Sequence, residues 1–305
     1  MKHSVSILQT KNLRFGFKKN EIMINNLNLD VKKGSIYGFL GPNGAGKTTT
    51  IRLLLGLLPA SQDAISLFGK PIYKNRIETH SKIGSLIEQP SLYEHLTGLQ
   101  NLEVTAAIRK VEKKRILELL DLVDLSANAK KKVSTYSLGM KQRLGLALAL
   151  ASEPELLILD EPVNGLDPAG IIDTRELLLR LNKEKGTTIF LSSHMLSEIE
   201  KLVTHLGIIS KGSIIFQGTL EELKHLNEQQ NVILVETDNN VKASSILEST
   251  YKVVRKDDNI LEISSCDKEQ IASIAKSLME EGLKIYLLRS LSKDLEKNFI
   301  ELTEK

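Results

Sequence analysis

The stretch that most constrains the fold is GPNGAGKT, Gly41 to Thr48, which follows the apolar run SIYGFL and precedes a helix-forming stretch. It matches the phosphate-loop pattern G-x-x-x-x-G-K-[S/T] in full. Backbone N–H groups of such a loop converge on a phosphate, and the N-terminus of the following helix favours an anion. Because the strand–loop–helix context is also satisfied, the sequence favours a nucleoside triphosphate site over a chance glycine-rich turn.

Two residues of this loop are expected to do most of the chemistry. Lys47 is predicted to reach the β and γ phosphates of the nucleotide, and the hydroxyl of Thr48 to bind Mg²⁺. The other predicted nucleotide contacts come from the rest of the loop and the residue after it: Gly41, Pro42, Asn43, Gly44, Ala45, Gly46 and Thr49.

A second pattern, LLILDEP, ends an apolar strand with the acidic pair Asp160 and Glu161. Asp160 is suited to hold Mg²⁺ through its water shell, and Glu161 to orient or deprotonate the attacking water. Alone, such a pair would more simply begin a turn, but the phosphate loop favours a functional role. FLSSH ends the next strand and puts His194 near the same edge. We therefore predict that His194 belongs to the site rather than to the packed surface.

Composition and punctuation predict the domain organisation. Apolar strands alternate with helices up to about residue 220, which indicates a parallel sheet with helices on both faces. All seven prolines lie at or before Pro168, and Gly282 alone follows Gly218 among the glycines. Residues 221–305 then show the order β-α-β-β-α-β of ferredoxin-like folds, with a last amphipathic helix in SKDLEKNFIELTEK. We expect domains at 1–220 and 221–305.

The bulk numbers exclude several classes. The chain has 305 residues, 41% hydrophobic and 26% charged, with a net charge of +3, so it lacks the dominant basic field typical of nucleic-acid binders. No stretch approaches the ~20 apolar residues that span a bilayer. The single Cys266 cannot form an internal disulfide, which fits a reducing cytosol. Any membrane role is expected to need another chain.

At YSLGMKQRLGLALAL the chain resembles the ATP-binding subunits of ABC transporters. Tyr136 to Met140 occupies the place of the family signature, usually close to L-S-G-G-Q, and Ser137 and Gly139 keep the expected types, whereas Leu138 replaces a glycine. The resemblance covers about residues 5–220. It implies a P-loop NTPase-type α/β fold: a parallel sheet, an antiparallel β subdomain and a helical subdomain at about 97–150, followed here by the small C-terminal α+β domain.

The same resemblance implies partners and roles. Ser137 and Gly139 would contact ATP held by a second copy in a head-to-tail homodimer, and the dimer would lie at the cytoplasmic face of the membrane on polytopic permease subunits. Glu161 would be the catalytic glutamate and His194 the residue that senses the γ-phosphate. The aromatic side chain that stacks on adenine is Phe17 or Phe15, and spacing favours Phe17.

The stretch IGSLIEQP raises a separate question. Against the family pattern I-G-x-x-x-Q-x-P, Ile83, Gly84 and Pro90 set a register that puts Glu88, not Gln89, at the glutamine's place. A carboxylate there accepts hydrogen bonds and binds Mg²⁺, but it cannot donate as an amide does. A one-residue shift would return the role to Gln89, so both assignments stay open, with Glu88 favoured as a catalytic and metal-binding residue.

Four stretches together look like the bacitracin-export and lantibiotic-immunity group of the family: IYGFLGPNGAGKTT, IEQPSLYEHLTG, YSLGMKQRLG and DEPVNGLDP. That resemblance implies an ATPase that drives removal of a peptide antibiotic through a separate membrane subunit. The alternatives are an ABC transporter ATPase for another substrate, or a soluble ABC-type ATPase acting on ribosomes or DNA. We expect no nucleic acid partner, because the chain has one ATP-binding unit and no long heptad insertion.

Overall fold

The computed structural model describes residues 5–18, 21–61, 63–74, 76–228, 232–257, 259–264 and 268–291. Cys266 and the helix expected in SKDLEKNFIELTEK lie outside these ranges. Contacts between residues divide the chain after Thr219 into two compact units, which we describe separately.

The first unit combines three sheets with seven helices among its described residues. Its strands are β1 (Ser6–Thr10), β2 (Leu13–Phe15), β3 (Ile24–Leu27), β4 (Asp30–Lys32), β5 (Ile36–Leu40), β6 (Ile65–Leu67), β7 (Lys70–Pro71), β8 (Ile83–Leu86), β9 (Leu156–Asp160), β10 (Thr188–Ser193), β11 (His205–Ser210) and β12 (Ser213–Thr219). Its helices are α1 (Lys47–Leu54), α2 (Arg76–Ser81), α3 (Gly98–Arg109), α4 (Lys113–Leu122), α5 (Leu138–Ala149), α6 (Pro168–Lys185) and α7 (Leu196–Ile199), with short 3₁₀ turns at Ser126–Asn128 and Val133–Thr135.

The central sheet carries the site. Its order is β12-β11-β5-β10-β9-β8, parallel throughout except for β12, which pairs antiparallel to β11. Strands β5, β9 and β10 are buried along their whole length, as expected of a parallel sheet covered on both faces. The carboxyl ends of these three strands therefore meet at one edge, which confirms the predicted parallel sheet.

The antiparallel part lies at the start of the unit. Strands pair in the order β4-β1-β6-β7, and β2 pairs with β3 in a separate two-stranded sheet. Leu8, Val31 and Leu67, from three of these strands, are completely buried in one core cluster with Phe39 of the central sheet. The antiparallel and parallel parts thus share a core, as the predicted fold requires.

The helices begin and end at recognisable caps. Thr97 and Gln100 form a capping box at the start of α3, and the side chain of Asp167 accepts a hydrogen bond from the Gly170 N–H, with Pro168 in the first turn of α6. Helices α3, α4 and α5 contact one another and form the helical part of the unit. Helix α5 also contacts β8, which ties this part to the central sheet.

The second unit has the predicted β-α-β-β-α-β order. Its elements are α8 (Leu220–Glu228), β13 (Val232–Thr237), α9 (Asn240–Leu247), β14 (Val253–Asp257), β15 (Ile260–Ser264), α10 (Lys268–Glu280) and β16 (Ile285–Leu291). The sheet order β14-β15-β13-β16 is antiparallel throughout, so the two βαβ halves interleave as in ferredoxin-like folds. Ile233 and Val235 of β13 alternate inward onto the buried Ile274 and Leu278 of α10.

Among the described helices, none is both long enough and apolar enough to cross a bilayer.

Candidate active site

The phosphate-type loop joins β5 to α1. Gly44 and Gly46 have φ of 82° and 107°, in the left-handed region that favours glycine, and Gly46 is the N-cap residue of α1 without a side-chain cap. The first N–H groups of α1 consequently lack a side-chain acceptor. A Cβ at Gly41 would lie 2.6 Å from the carbonyl oxygen of Ile209, so only glycine lets the loop start here.

Lys47 is buried beneath this loop, with 6% of its surface exposed. Its Nζ donates to the carbonyl oxygens of Gly41, at 2.8 Å, and Pro42, at 3.3 Å. It also forms an ion pair with Glu161, with Nζ 3.2 Å from Oε1. A buried ammonium needs such partners because an uncompensated charge is costly to desolvate. The lysine is therefore held at the loop before any ligand arrives.

Asp160 ends β9 and is completely enclosed at the sheet edge. The Thr48 hydroxyl donates to its Oδ2 at 2.7 Å, and the Ser192 hydroxyl donates to its Oδ1 at 2.6 Å. A hydroxyl and a carboxylate oxygen side by side are the donor types that Mg²⁺ prefers. The sequence predicted Asp160 and Thr48, whereas Ser192, in β10, was missed.

Glu161 and His194 follow two neighbouring strands and meet above the edge. His194 Nδ1 lies 2.8 Å from Glu161 Oε2, while the Glu161 N–H donates to Ser192 Oγ at 2.9 Å. Glu161 has a φ of 49°, an uncommon value for this residue type. Its carboxylate is thus fixed at both oxygens, by Lys47 and by His194.

A cavity of about 400 Å³ opens over these groups. Eight of the predicted site residues line it: Asn43, Gly44, Gly46, Lys47, Thr48, Thr49, Glu161 and His194. Asn164 lines it as well, and so does Met23, to which no sequence pattern pointed. Within the described ranges, Gly41, Pro42, Ala45 and Phe17 are not part of this lining.

A second cavity, of about 300 Å³, shares Thr48, Glu161 and Asn164 with the first. It is lined by Thr48, Glu88, Gln89, Leu138, Gln142, Asp160, Glu161, Asn164 and Gly165. Both candidate loop residues therefore line the same cavity as Thr48 and Asp160. Glu88 has a φ of 53° and forms an ion pair with Arg52 of α1, with Oε1 2.9 Å from the guanidinium.

The signature stretch turns into α5. Tyr136, in place of a leucine, is buried and donates from its hydroxyl to the Asn128 carbonyl oxygen at 2.8 Å; burial raises the pKa of its phenol. Ser137 caps α5 by accepting from the Met140 N–H at 3.3 Å. Leu138 is 44% exposed and reaches over Gly165. Among the described residues, Ser137 and Gly139 line neither cavity.

The two candidate adenine-stacking rings differ in burial. Phe15 packs against the core, whereas Phe17 is 61% exposed. Their ring centroids lie 5.0 Å apart in an edge-to-face arrangement. Phe17 is therefore the more accessible of the two rings.

A glycine-rich loop between a buried strand and a helix, with Thr48 hydrogen-bonded to the aspartate that ends β9, defines a P-loop nucleoside triphosphatase. A family model described as ABC transporter matches residues 24–164. The bacitracin transport ATP-binding protein BcrA of Bacillus licheniformis is 42% identical over 303 residues, 97% of each chain. The lantibiotic transport ATP-binding protein SrtF of Streptococcus pyogenes is 42% identical over 225 residues, 74% of this chain and 96% of that protein.

The fold points the same way. The structure of cbiO1 from Clostridium perfringens, part of the ABC transporter complex cbiONQ, superposes with a TM-score of 0.66 at 28% identity, covering 72% of this chain and 90% of that one. The chain belongs to the ATP-binding proteins of ABC transporters. It is an ATPase subunit of such a transporter.

Proposed function

We propose that this subunit drives export of a membrane-active peptide antibiotic and so protects the cell. The observation that carries the proposal is the likeness to a bacitracin transport ATP-binding protein along 97% of both chains. This alignment includes the second unit, whereas the match to the lantibiotic transport protein covers 74% of the chain. The likeness thus extends beyond the ATP-binding motifs that all members of the family share.

In the proposed mechanism, the loop and the N-terminus of α1 bind the phosphates of ATP, and Lys47 neutralises their charge. Thr48 and Asp160 would hold Mg²⁺, whose charge stabilises the phosphate oxygens when bound. Glu161 accepts the proton of the attacking water. His194 orients that carboxylate, since its Nδ1 lies 2.8 Å from Glu161 Oε2.

The ion pair between Lys47 and Glu161 links binding to catalysis. Its atoms lie 3.2 Å apart, and both side chains are largely buried. A phosphate bound at Lys47 offers this cation a competing anion. Glu161 then loses this counter-ion, which releases its carboxylate towards the attacking water. The same event that fills the site therefore frees its base.

We propose the assembly implied by the family. Two copies join head to tail, with Ser137 and Gly139 of one copy facing the ATP of the other. The exposure of Leu138 beside this cap supports a role at a contact surface. The dimer binds polytopic permease subunits at the cytoplasmic face of the membrane, and it has no nucleic acid partner.

Two measurements test the proposal. Affinity purification of the tagged full chain from detergent-solubilised membranes of its host should recover a polytopic membrane protein; recovery of ribosomal proteins or DNA would support the soluble alternative. A host lacking the chain should become more sensitive to bacitracin or a lantibiotic. The wild-type gene should restore resistance and Glu161→Gln should not. Unchanged sensitivity to all such peptides would refute the antibiotic role and leave the ATPase assignment intact.

A further inference from the structure

Gln142 is a polar side chain at a buried position of an apolar helix. It is 7% exposed in α5, where Leu144, Leu146 and Ala147 are also buried. Its amide oxygen Oε1 is buried and has no hydrogen-bond partner among the residues that the structure describes. An unsatisfied buried acceptor is costly, so Gln142 calls for a donor in some state of the protein.

The position of Gln142 identifies the segment that it faces. Gly145 lies three residues further along α5, hence on the same side of the helix. Pro90 packs there so closely that a Cβ at Gly145 would come within 2.7 Å of the Pro90 ring. Gln142 accordingly faces the residues that lead into Pro90, and it lines the 300 Å³ cavity together with Glu88 and Gln89.

The chemistry of this cavity restricts the donor. The carboxylates of Glu88, Asp160 and Glu161 line it, and ionised carboxylates only accept. The Thr48 hydroxyl already donates to Asp160. The remaining side-chain donors in this lining are the carboxamides of Gln89 and Asn164. Gln89 directly precedes Pro90, which contacts α5, and it is therefore the donor that the packing brings to Gln142.

We propose that Gln142 is a positioning residue: its amide oxygen accepts a hydrogen bond from Gln89 and so fixes the loop against the signature helix, with Glu88 aimed at the cation. In this structure Glu88 is ion-paired with Arg52 instead. The proposed hydrogen bond from Gln89 to Gln142 therefore belongs to the state in which Glu88 has left Arg52. The two adjacent loop residues then have separate tasks, and the inference rests on the proposed role of Glu88.

The test uses Gln142→Met and Gln89→Met, singly and together, in the full chain. Methionine keeps the length of the side chain and removes the carboxamide. Loss of one hydrogen bond should lower kcat for ATP about 3- to 10-fold and raise the Mg²⁺ concentration for half-maximal rate. The double variant should be no worse than either single one. The Tm of Gln142→Met should be unchanged or higher, because an unsatisfied polar group is replaced by an apolar one.

Two controls separate the possible failures. Gln9→Met makes the same exchange in β1, where the side chain bonds Asp30, and should change kcat by less than about twofold. In a Glu88→Ala background, neither methionine variant should have a further effect. The inference would be overturned if the kcat losses of Gln89→Met and Gln142→Met multiplied in the double variant. It would also be overturned if kcat fell only in proportion to a lower Tm. If Glu88→Ala alone leaves the rate and the Mg²⁺ requirement unchanged, the proposed role of Glu88 fails instead.

Discussion

Replacing Ser192 with alanine removes one hydroxyl that serves both acidic residues of the site. Ser192 is completely buried in β10. Its Oγ donates to Asp160 Oδ1 at 2.6 Å and accepts from the Glu161 N–H at 2.9 Å. Alanine would leave one carboxylate oxygen and one backbone N–H without these partners. We expect Ser192→Ala to weaken both the fold and the catalytic geometry.

The two lost bonds set the size of the effect. A hydrogen bond to a charged group contributes about 1.5–3 kcal/mol, and a buried unsatisfied N–H costs about 1–3 kcal/mol. Because neighbouring losses are not additive, we expect a total of about 3 kcal/mol. For a unit of this size, that corresponds to a Tm lowered by roughly 6–12 °C. Because the Glu161 N–H loses its acceptor, the Glu161 carboxylate is less well positioned, and Ser192→Ala should lower kcat by about 10- to 100-fold.

Thermal unfolding followed by circular dichroism, together with steady-state ATP hydrolysis, measures both effects. Ser193→Ala is the matched control, since Ser193 is equally buried but its hydroxyl contacts Met195 and Glu198. It should lower Tm while reducing kcat much less than Ser192→Ala does. A Ser192→Ala protein with the Tm and kcat of the wild type would refute the reasoning. Equal kcat losses in Ser192→Ala and Ser193→Ala would show that the effect does not depend on the hydrogen bonds to Asp160 and Glu161.

Four further outcomes are expected. Lys47→Ala should abolish ATP hydrolysis in a phosphate-release assay, since Lys47 is the one lysine or arginine among the described residues that line the 400 Å³ cavity. Glu161→Gln should bind ATP but stall hydrolysis, so gel filtration with ATP should detect a trapped dimer; a monomer there would contradict the sandwich arrangement. Glu88→Gln should keep most of the ATPase rate, whereas Glu88→Ala should lose about tenfold, more than Gln89→Ala; the reverse order would place the loop role at Gln89. The isolated segment 221–305 should fold without ATP, which a featureless circular dichroism spectrum would disprove.

Sequence patterns predicted the fold because they are local. The switch from apolar strands to helices after SIYGFL, LLILD and TTIFLSS marks three parallel strands, and their carboxyl ends necessarily share an edge. The sequence alone therefore predicts that Asp160, Glu161 and His194 lie together. The ferredoxin-like order of the second unit followed in the same way from its alternating strands. What these patterns predict is which elements exist and which ends meet.

Contacts between distant residues were not accessible in this way. Thr48 and Asp160 are separated by 112 positions, and Arg52 and Glu88 by 36. Ser192 ends an apolar strand like many serines that merely satisfy a backbone group. Its polar type at a strand end beside His194 was the available signal, yet the sequence does not say that its hydroxyl lies between two acids. Such roles depend on register between strands, which a single chain pattern does not encode.

The adjacent pair Glu88 and Gln89 shows where the two kinds of information combine. The spacing of IGSLIEQP favours Glu88 at the glutamine position of the family pattern and assigns no role to Gln89. The structure brings both side chains to one cavity, and it pairs Glu88 with Arg52 while Pro90 is packed on α5. Residues 88–90 are therefore packed on α5 through Pro90, while the Glu88 carboxylate is held by Arg52. We infer two arrangements of this loop, one with Glu88 on Arg52 and one with Glu88 released. Nucleotide binding can favour the arrangement in which Glu88 has left Arg52 only if the loop gains a new contact there. A hydrogen bond from the Gln89 carboxamide to the amide oxygen of Gln142 would be such a contact.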